Sequence, residues 1–301
     1  MSDKKAMVLG AFVGDALALG VHWVYNTRVI DKKFGTVDQY HDPLTSYHTG
    51  KQKGDFTHYG DQMLVLLTSL AACGGFDLDH FANAWREFFD DYNGYFDQAT
   101  KATLQNLADG KGPKECGSSS QELGGASRIP PLAYIYADDL PQLVQAAKLQ
   151  TAFSHNTNTV IDGAEFFSRA ALKVLDGKAP SEAIAAIVAD HYRGHAIEQF
   201  VAQGTDSTAT DTRQAIADFG QMCEIDAAFP ATIHLILKYE DNFKKAMVEN
   251  VMAGGDSAGW GLLAGMLLGA HNGMDAIPGE WLSGLTHYDR ITAALDHLDK
   301  K

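Results

Sequence analysis

Three aspartates stand alone inside or beside apolar, glycine-containing segments of this sequence. Asp15 lies in the run 10–17, Asp61 lies in the run 58–66, and Asp256 lies near the start of the run 254–265. A carboxylate taken out of water is costly unless it is paired, hydrogen-bonded or bound to a metal. Each aspartate could instead cap a helix, since a nearby glycine permits a turn and an apolar run follows. The pattern therefore leaves two interpretations open, a chemical site or separate helix caps.

The segments that would position these aspartates have the spacing of helices. Apolar residues recur three and four positions apart in nearly every segment, whereas strand-like alternation is scarce. Helix-start signals also repeat, and together they predict roughly a dozen helices. Such signals occur at Asp79, Asn158, Pro180 and Pro278. Residues 34–59 and 109–120 lack the periodicity and are predicted to be loops, and the first is long enough to suggest a functional role.

The composition is that of an acidic globular protein. The chain has 301 residues, of which 46% are hydrophobic and 21% are charged, and its formal net charge is −14. Binding to a phosphate backbone needs Lys and Arg, so nucleic acid is not an expected partner. The apolar run 7–13 after Lys4 and Lys5 imitates a signal peptide, but Asp15 interrupts it and it is too short to span a membrane. No membrane partner is expected.

Cysteine usage and the absence of linkers suggest the compartment and the domain number. Cys73, Cys116 and Cys223 are odd in number and far apart, which matches neither a disulfide framework nor a zinc site and favours a reducing cytoplasm. No repeat, low-complexity tract or block of like charge interrupts the chain. A single domain over residues 1–301 is therefore predicted.

Five segments in the expected order resemble the ADP-ribosylglycohydrolase family. They are Gly14-Asp15-Ala16-Leu17; residues 118–134 with Arg128-Ile129-Pro130-Pro131-Leu132; Phe153-Ser154-His155 followed by Asp162-Gly163-Ala164; Gly254-Gly255-Asp256-Ser257 leading into residues 263–270; and Ile277-Pro278-Gly279-Glu280-Trp281. Any one of these segments is a weak signal. Their common order over most of the chain makes the resemblance specific.

The resemblance implies an all-α, orthogonal multi-helix bundle with a cleft that holds two magnesium or manganese ions. Such ions would orient the ribose of ADP-ribose and activate water to hydrolyse an N- or O-glycosidic bond. The family takes its metal ligands from a Thr-Asp-Asp-Thr element and from an Asp-Thr-Asp-Thr element near the end of the chain. The implied partner is a small-molecule nucleotide or an ADP-ribosylated substrate.

Both metal-binding elements are incomplete in this chain. The first aligns with Tyr59-Gly60-Asp61-Gln62 and the second with Asp256-Ser257-Ala258-Gly259, so two carboxylates remain where the family has four. Affinity for hard cations depends on the charge and number of the oxygen ligands. Asp61 and Asp256 are therefore predicted to hold no metal, or at most one weakly bound magnesium or manganese ion.

Other polar residues could replace the lost ligands. Catalytic roles are predicted for Asp61, Asp256 and His155, the last because it matches the family's Thr-His segment. The predicted substrate-binding residues are Asp15, His22, His58, Tyr59 and Ser257. Histidine can serve as a general acid or base near neutral pH, and tyrosine can donate to an oxyanion. A lone histidine is also commonly structural, and the aromatic cluster within residues 85–96 is expected to be core rather than an adenine platform.

These observations support three functional hypotheses. The first is a cleft that binds ADP-ribose or a related nucleotide glycoside, with hydrolysis weak or absent. The second is a non-catalytic structural or interaction protein, whose cleft would be filled with apolar side chains. The third is a metal-independent glycosidase, which requires the carboxyl groups of Asp61 and Asp256 to lie within about 5 to 9.5 Å of each other.

Overall fold

The computed structural model describes residues 3–300, which form sixteen α-helices and no β-strand. The predicted all-α class is confirmed, whereas the number of helices was underestimated because several have only six or eight residues. The helices are α1 (Lys4–Leu19), α2 (Thr27–Phe34), α3 (His58–Cys73), α4 (Leu78–Asp90), α5 (Gln98–Ala108), α6 (Pro130–Ile135), α7 (Leu140–Ser154), α8 (Asn158–Leu175), α9 (Pro180–Ile187), α10 (Ala196–Asp206), α11 (Thr212–Phe219), α12 (Ile225–Lys238), α13 (Phe243–Met252), α14 (Ser257–Asn272), α15 (Gly279–Gly284) and α16 (Tyr288–Leu298).

The helices α1 and α14 pack against each other in the centre of the bundle. All residues of the stretches 6–19 and 257–270 are buried. The two backbones touch, because a Cβ atom on Gly14 would lie 2.2 Å from the carbonyl oxygen of Gly261, and one on Gly265 would lie 2.2 Å from that of Gly10. This close approach requires glycine on both helices. Buried apolar side chains from α1 to α16 join one core cluster, and a single domain over residues 1–301 stays a prediction.

The predicted helix starts are correct to within two residues. Asn158 and Pro180 are the first residues of α8 and α9, and Pro278 occupies the N-cap position of α15. Asp79 was wrongly placed, because it lies in the first turn of α4 and Asp77 is the N-cap. Two aspartates so close together offer the same local signal, and the sequence does not say which of them accepts the amide hydrogen bond.

The predicted long loop between α2 and α3 is attached to the body of the protein. Its one helical turn is a 3-10 helix at Ser46–His48. The Leu44 amide donates to the Gly20 carbonyl at 3.0 Å, which fixes the loop to the end of α1. The Tyr40 hydroxyl donates to the Trp281 carbonyl at 2.8 Å, which fixes it to α15. The second predicted loop, residues 109–120, is also free of helix.

Membrane insertion and disulfide bonding can be judged from the same structure. Within residues 3–300, no helix has both the length and the apolar character needed to cross a membrane. Cys73, Cys116 and Cys223 are free thiols. The cytoplasmic location inferred from the cysteines stays a prediction.

Candidate functional site

An aromatic pocket lies where the ends of several helices meet. It has a volume of about 200 Å³. Three of its rings contact one another edge to face. The interplanar angles are 87° between Trp23 and Tyr47, 74° between Trp23 and Tyr95, and 85° between Tyr47 and Tyr95. We call this cavity the aromatic pocket; its lining residues are Trp23, Tyr25, Tyr47, Tyr59, Tyr95, Asp97, Gln98, Glu122 and Cys223.

A larger polar groove adjoins the aromatic pocket. It has a volume of about 600 Å³ and shares Gln98 and Glu122 with the pocket. Its floor is the segment 118–122, which is held by backbone hydrogen bonds on both sides. The Ser118 amide donates to the Ser154 carbonyl at 3.0 Å, and the Ile225 amide donates to the Gln121 carbonyl at 2.8 Å. We call this cavity the serine groove, which is lined by Gln98, Ala99, Ala102, Ser118, Ser119, Ser120, Gln121, Glu122, Glu224 and Asp226.

Asp256 lies directly behind the Trp23 wall of the pocket. Its Oδ1 is 2.9 Å from His22 Nε2 and accepts a hydrogen bond from Trp23 Nε1 at 3.2 Å. His22 Nδ1 is in turn 2.8 Å from His48 Nε2. Burial raises the pKa of Asp256 well above its usual value and lowers the pKa of His48 to about 2. Asp256 occupies the N-cap position of α14 without a capping side-chain hydrogen bond, so simple capping does not explain it.

Asp61 is paired with a lysine from the long loop. Its Oδ2 forms an ion pair with Lys51 Nζ and accepts a hydrogen bond from the Tyr92 hydroxyl at 2.6 Å. Burial raises the pKa of Asp61, whereas the charge of Lys51 opposes that rise. Asp61 lies in the first turn of α3, and Thr57 is the N-cap of that helix. The capping interpretation of Asp61 was therefore wrong.

Asp15 caps a helix other than its own. It lies in the C-terminal half of α1 and is fully buried. Its carboxylate accepts hydrogen bonds from the Thr57 amide at 2.8 Å, the Thr57 hydroxyl at 2.6 Å and the Gly60 amide at 3.2 Å, which are donors at the start of α3. Burial raises the pKa of Asp15 to about 7, and the Thr57 hydrogen bonds oppose this rise. These contacts make Asp15 a structural link between α1 and α3.

His58 contacts Asp97 beside the pocket. His58 Nε2 lies 3.2 Å from Asp97 Oδ2. Asp97 is also the N-cap of α5, where it accepts from the Thr100 amide. Burial alone would raise the pKa of Asp97, but the contact with His58 outweighs burial and places the pKa well below its usual value. Asp97 is therefore an ionised carboxylate on the pocket wall.

His155 and Ser257 lie near the cleft but line neither cavity. His155 Nδ1 is 2.9 Å from Ser154 Oγ, and His155 Nε2 is 3.9 Å from Glu122 Oε2. Ser154 Oγ also accepts a hydrogen bond from the buried guanidinium of Arg128, whose pKa burial lowers to about 10. Ser257, the first residue of α14, is fully buried.

The structure brings only part of the predicted site to the cleft. Tyr59 lines the aromatic pocket, and His22, His58 and Asp256 stand behind its walls. Asp15 and Asp61, like His155 and Ser257, line neither cavity. The catalytic and binding roles given to all eight residues stay predictions.

Several lining residues were missed from the sequence. Tyr95 belongs to the aromatic cluster that was expected to be core, and that expectation was wrong for Tyr95 although right for the buried Trp85 and Phe89. The helix-start pattern at Asp97 was available as a signal, since it precedes α5 as a capping residue does. Tyr47 lies in the long loop. Glu122 and Cys223 are brought together by a backbone hydrogen bond, in which the Leu123 amide donates to the Cys223 carbonyl at 2.8 Å. No local pattern predicts such contacts.

The two carboxylates retained from the family's metal elements have side-chain partners, and the loss of the metal pair stays a prediction. Within residues 3–300, no group of three or more His, Cys, Asp or Glu side chains could hold a metal ion. The Asp61 carboxylate already faces the ammonium of Lys51, and Asp256 already faces ring nitrogens of His22 and Trp23. A side chain at position 60 is also disfavoured, because a Cβ atom there would lie 2.5 Å from Asp15 Oδ2.

Comparison with known proteins identifies the family. A sequence model of the ADP-ribosylglycohydrolase family matches residues 3–301. An uncharacterised protein of Archaeoglobus fulgidus is 26% identical over 289 residues, covering 95% of this chain and 92% of the relative. Crystallin J1A of Tripedalia cystophora is 22% identical over an alignment of 316 residues, covering 98% and 96%. A solved structure of an ADP-ribosylglycohydrolase-related protein complex has a TM-score of 0.75 at 22% identity and covers 99% and 96% of the two chains, which supports the fold. Because the family model matches nearly the whole chain, the chain belongs to the ADP-ribosylglycohydrolase family.

Proposed function

We propose that the cleft binds ADP-ribose or a related nucleotide glycoside without the family's metal pair, and that its hydrolysis is weak or absent. The observation that carries this proposal is the junction of the aromatic pocket with the serine groove through Gln98 and Glu122. An aromatic recess beside a polar groove offers ring contacts to one end of a ligand and hydrogen bonds to the other.

The groove has donors suited to a sugar or a phosphate group. Ser118, Ser119 and Ser120 line it, and the N-terminal ends of α5 and α12 reach it at Gln98 and Asp226. Helix N-termini carry partial positive charge and favour anions. Three carboxylates in the same lining, those of Glu122, Glu224 and Asp226, oppose each added phosphate. We therefore expect a glycoside with fewer phosphates to bind better than ADP-ribose.

Weak hydrolysis follows from the contacts of the two retained carboxylates. The charge that a metal pair would supply is replaced at Asp61 by one ammonium, and Asp256 is taken up by His22 and Trp23. If the chain hydrolyses a glycoside without metal, Asp97 and Glu122 are better placed as an acid and base than Asp61 and Asp256, because both line the cavity. This changes the residues of the metal-independent hypothesis and keeps its chemistry.

Calorimetric titration of the whole chain, in the presence of a chelator, tests the proposal. ADP-ribose and adenosine should both give saturable heats, and Glu122→Gln should raise affinity for ADP-ribose about fivefold, since removal of one nearby like charge is worth about 1 kcal/mol. The matched control is Glu240→Gln, which lies in a different surface cavity and should leave affinity unchanged. Absence of heat for both ligands at millimolar concentration would refute the proposal.

A structural role is the second candidate, and one observation favours it. Crystallin J1A, of which 96% is covered by the alignment with this chain, is named as a crystallin. Against this candidate, the described cleft is lined by carboxylates, serines and glutamines rather than filled by apolar side chains. Failure of every glycoside to bind, with the fold intact, would support the structural role.

A further inference from the structure

We infer that the aromatic pocket is a cage for a compact organic cation, such as a quaternary ammonium group. The inference rests on the proposed function in one respect, namely that the cation forms part of the glycoside ligand whose remainder lies in the serine groove. The cage itself depends only on the rings and carboxylates of the pocket.

The first observation is the arrangement of the rings. Trp23, Tyr47 and Tyr95 are mutually close to perpendicular, and their centroids lie 5.1, 4.8 and 5.5 Å apart in pairs. Each pair is in edge-to-face contact, and all three rings line the same pocket. Aromatic faces carry negative electrostatic potential, so ring faces that border the pocket attract a cation held there.

The second observation is the charge of the lining. Asp97 and Glu122 line the aromatic pocket, and neither Lys nor Arg does so among the described residues. Lys101 Nζ lies 5.9 Å from the centroid of the Tyr95 ring, which shows that this wall already interacts with a cation. Burial raises the pKa of the Cys223 thiol, and it raises that of Tyr25 to about 12, so both remain neutral near pH 7. The lining side chains thus supply two carboxyl groups, of which that of Asp97 is contacted by His58 from behind the wall, and no Lys or Arg.

The third observation is that one wall is held in place under backbone strain. Trp23 adopts a φ of 61°, which is uncommon for a bulky residue. Its amide donates to the Gly255 carbonyl at 2.9 Å, and its ring stacks on His22 at 4.2 Å. Tyr25 and Tyr47, by contrast, are 47% and 51% exposed at the rim. A fixed inner ring and exposed outer rings suit a ligand group that enters from solvent.

The size of the cavity limits the ligand group. A volume of about 200 Å³ is below the range of roughly 300 to 1,000 Å³ typical of pockets that enclose a whole drug-sized ligand. A single headgroup therefore fits the pocket better than a complete nucleotide. A stacked adenine ring is the competing occupant, and it differs from the cage ligand in having no positive charge at neutral pH.

The decisive experiment compares choline with 3,3-dimethylbutan-1-ol, its uncharged isostere, by calorimetric titration of the whole chain. Choline should bind roughly tenfold more tightly, because only the charged probe gains the cation–π and carboxylate attraction. Tyr47→Leu should lose most of this preference, whereas Tyr47→Phe keeps the ring and should retain it. Tyr47 is largely exposed, so both variants are expected to fold.

A second variant isolates the carboxylate. Asp97→Asn should reduce the preference for choline several-fold while the α5 cap is kept, since Asn also caps helices. Asp77→Asn is the matched control, because Asp77 caps α4 and does not line the pocket. Equal binding of the two probes, or adenosine displacing choline with no loss in Asp97→Asn, would overturn the cage. If choline binds and no glycoside does, the proposed function alone is overturned. If a glycoside binds and choline does not, the cage alone is overturned.

Discussion

The three solitary aspartates differ in their partners, and those partners decide what each one does. Asp15 accepts three hydrogen bonds from the start of α3 and thereby links α1 to α3. Asp61 forms an ion pair with Lys51, and the Asp256 carboxyl group is in hydrogen-bond contact with ring nitrogens of His22 and Trp23. A buried carboxylate must be compensated in one of these ways. Identical residue types in similar segments are therefore compensated by three different sets of partners.

Removal of the Lys51 ammonium tests whether it substitutes for a metal at Asp61. Lys51→Met should lower the free energy of unfolding by about 3 kcal/mol, because it leaves a buried carboxylate unpaired. Millimolar magnesium should recover part of that loss in the variant and should not stabilise the unmodified protein. Urea unfolding measures both effects, with Lys53→Met on the exposed side of the same loop as control. Tight binding of two ions by the unmodified protein would show that our alignment of both metal elements is wrong.

At the scale of elements, the contact between α1 and α14 sets the geometry behind the aromatic pocket. The chain leaves α1 at Leu19 and reaches His22 and Trp23 within one turn, and α14 begins directly after Asp256. The glycines at the crossing determine how closely these two ends approach. Packing of the central helices therefore controls the hydrogen bonds that hold the Trp23 wall.

A methyl group at this crossing should separate the two helices. Gly265→Ala places a Cβ atom 2.2 Å from the Gly10 carbonyl oxygen, and a backbone atom cannot move aside as a flexible side chain does. We expect the free energy of unfolding to fall by about 3 kcal/mol, at the upper end of typical overpacking costs. Chemical denaturation is the measurement. Gly279→Ala is the control, since its Cβ would meet open space; equal effects of the two variants would argue against the close contact.

For the whole molecule, buried histidines make stability depend on pH. Burial lowers the pKa of His48 to about 2, and that of His22 also lies well below its usual value. In the unfolded chain these imidazoles take up protons below about pH 6.5. The folded protein does not, so each histidine contributes a loss of stability as the pH falls from its unfolded pKa towards its folded pKa.

Substitution of one histidine should make this loss visible. The cost of His48→Gln in unfolding free energy should be smaller at about pH 5 than at about pH 7.5, by about 2 kcal/mol, because the variant no longer has an imidazole that protonates on unfolding. Urea titrations of both proteins at the two pH values give this difference directly. His297→Gln is the exposed control. A cost that does not change with pH would mean that His48 is protonated in the folded state.

The helical class, the family motifs and the burial of the aspartates could be derived from the sequence because they depend on local spacing. Apolar residues three and four apart face the same side of a helix whatever the rest of the chain does. Tyr59 was identified as a cleft residue for a similar reason, since it occupies a motif position. The sequence also contains the Asp97 cap signal, which reports a helix start and says nothing about a pocket.

Only the tertiary structure decided which side chains meet. Asp256 and His22 are 234 positions apart, and the aromatic pocket combines residues from the α1–α2 connection, the long loop, the α4–α5 connection and the α11–α12 connection. The long-range packing of helices fixes these contacts, and residue spacing carries no information about it. The same packing gave Asp61 a lysine partner and removed it from the cleft, which is why the site predicted from motif positions coincides with the observed cavity only in part.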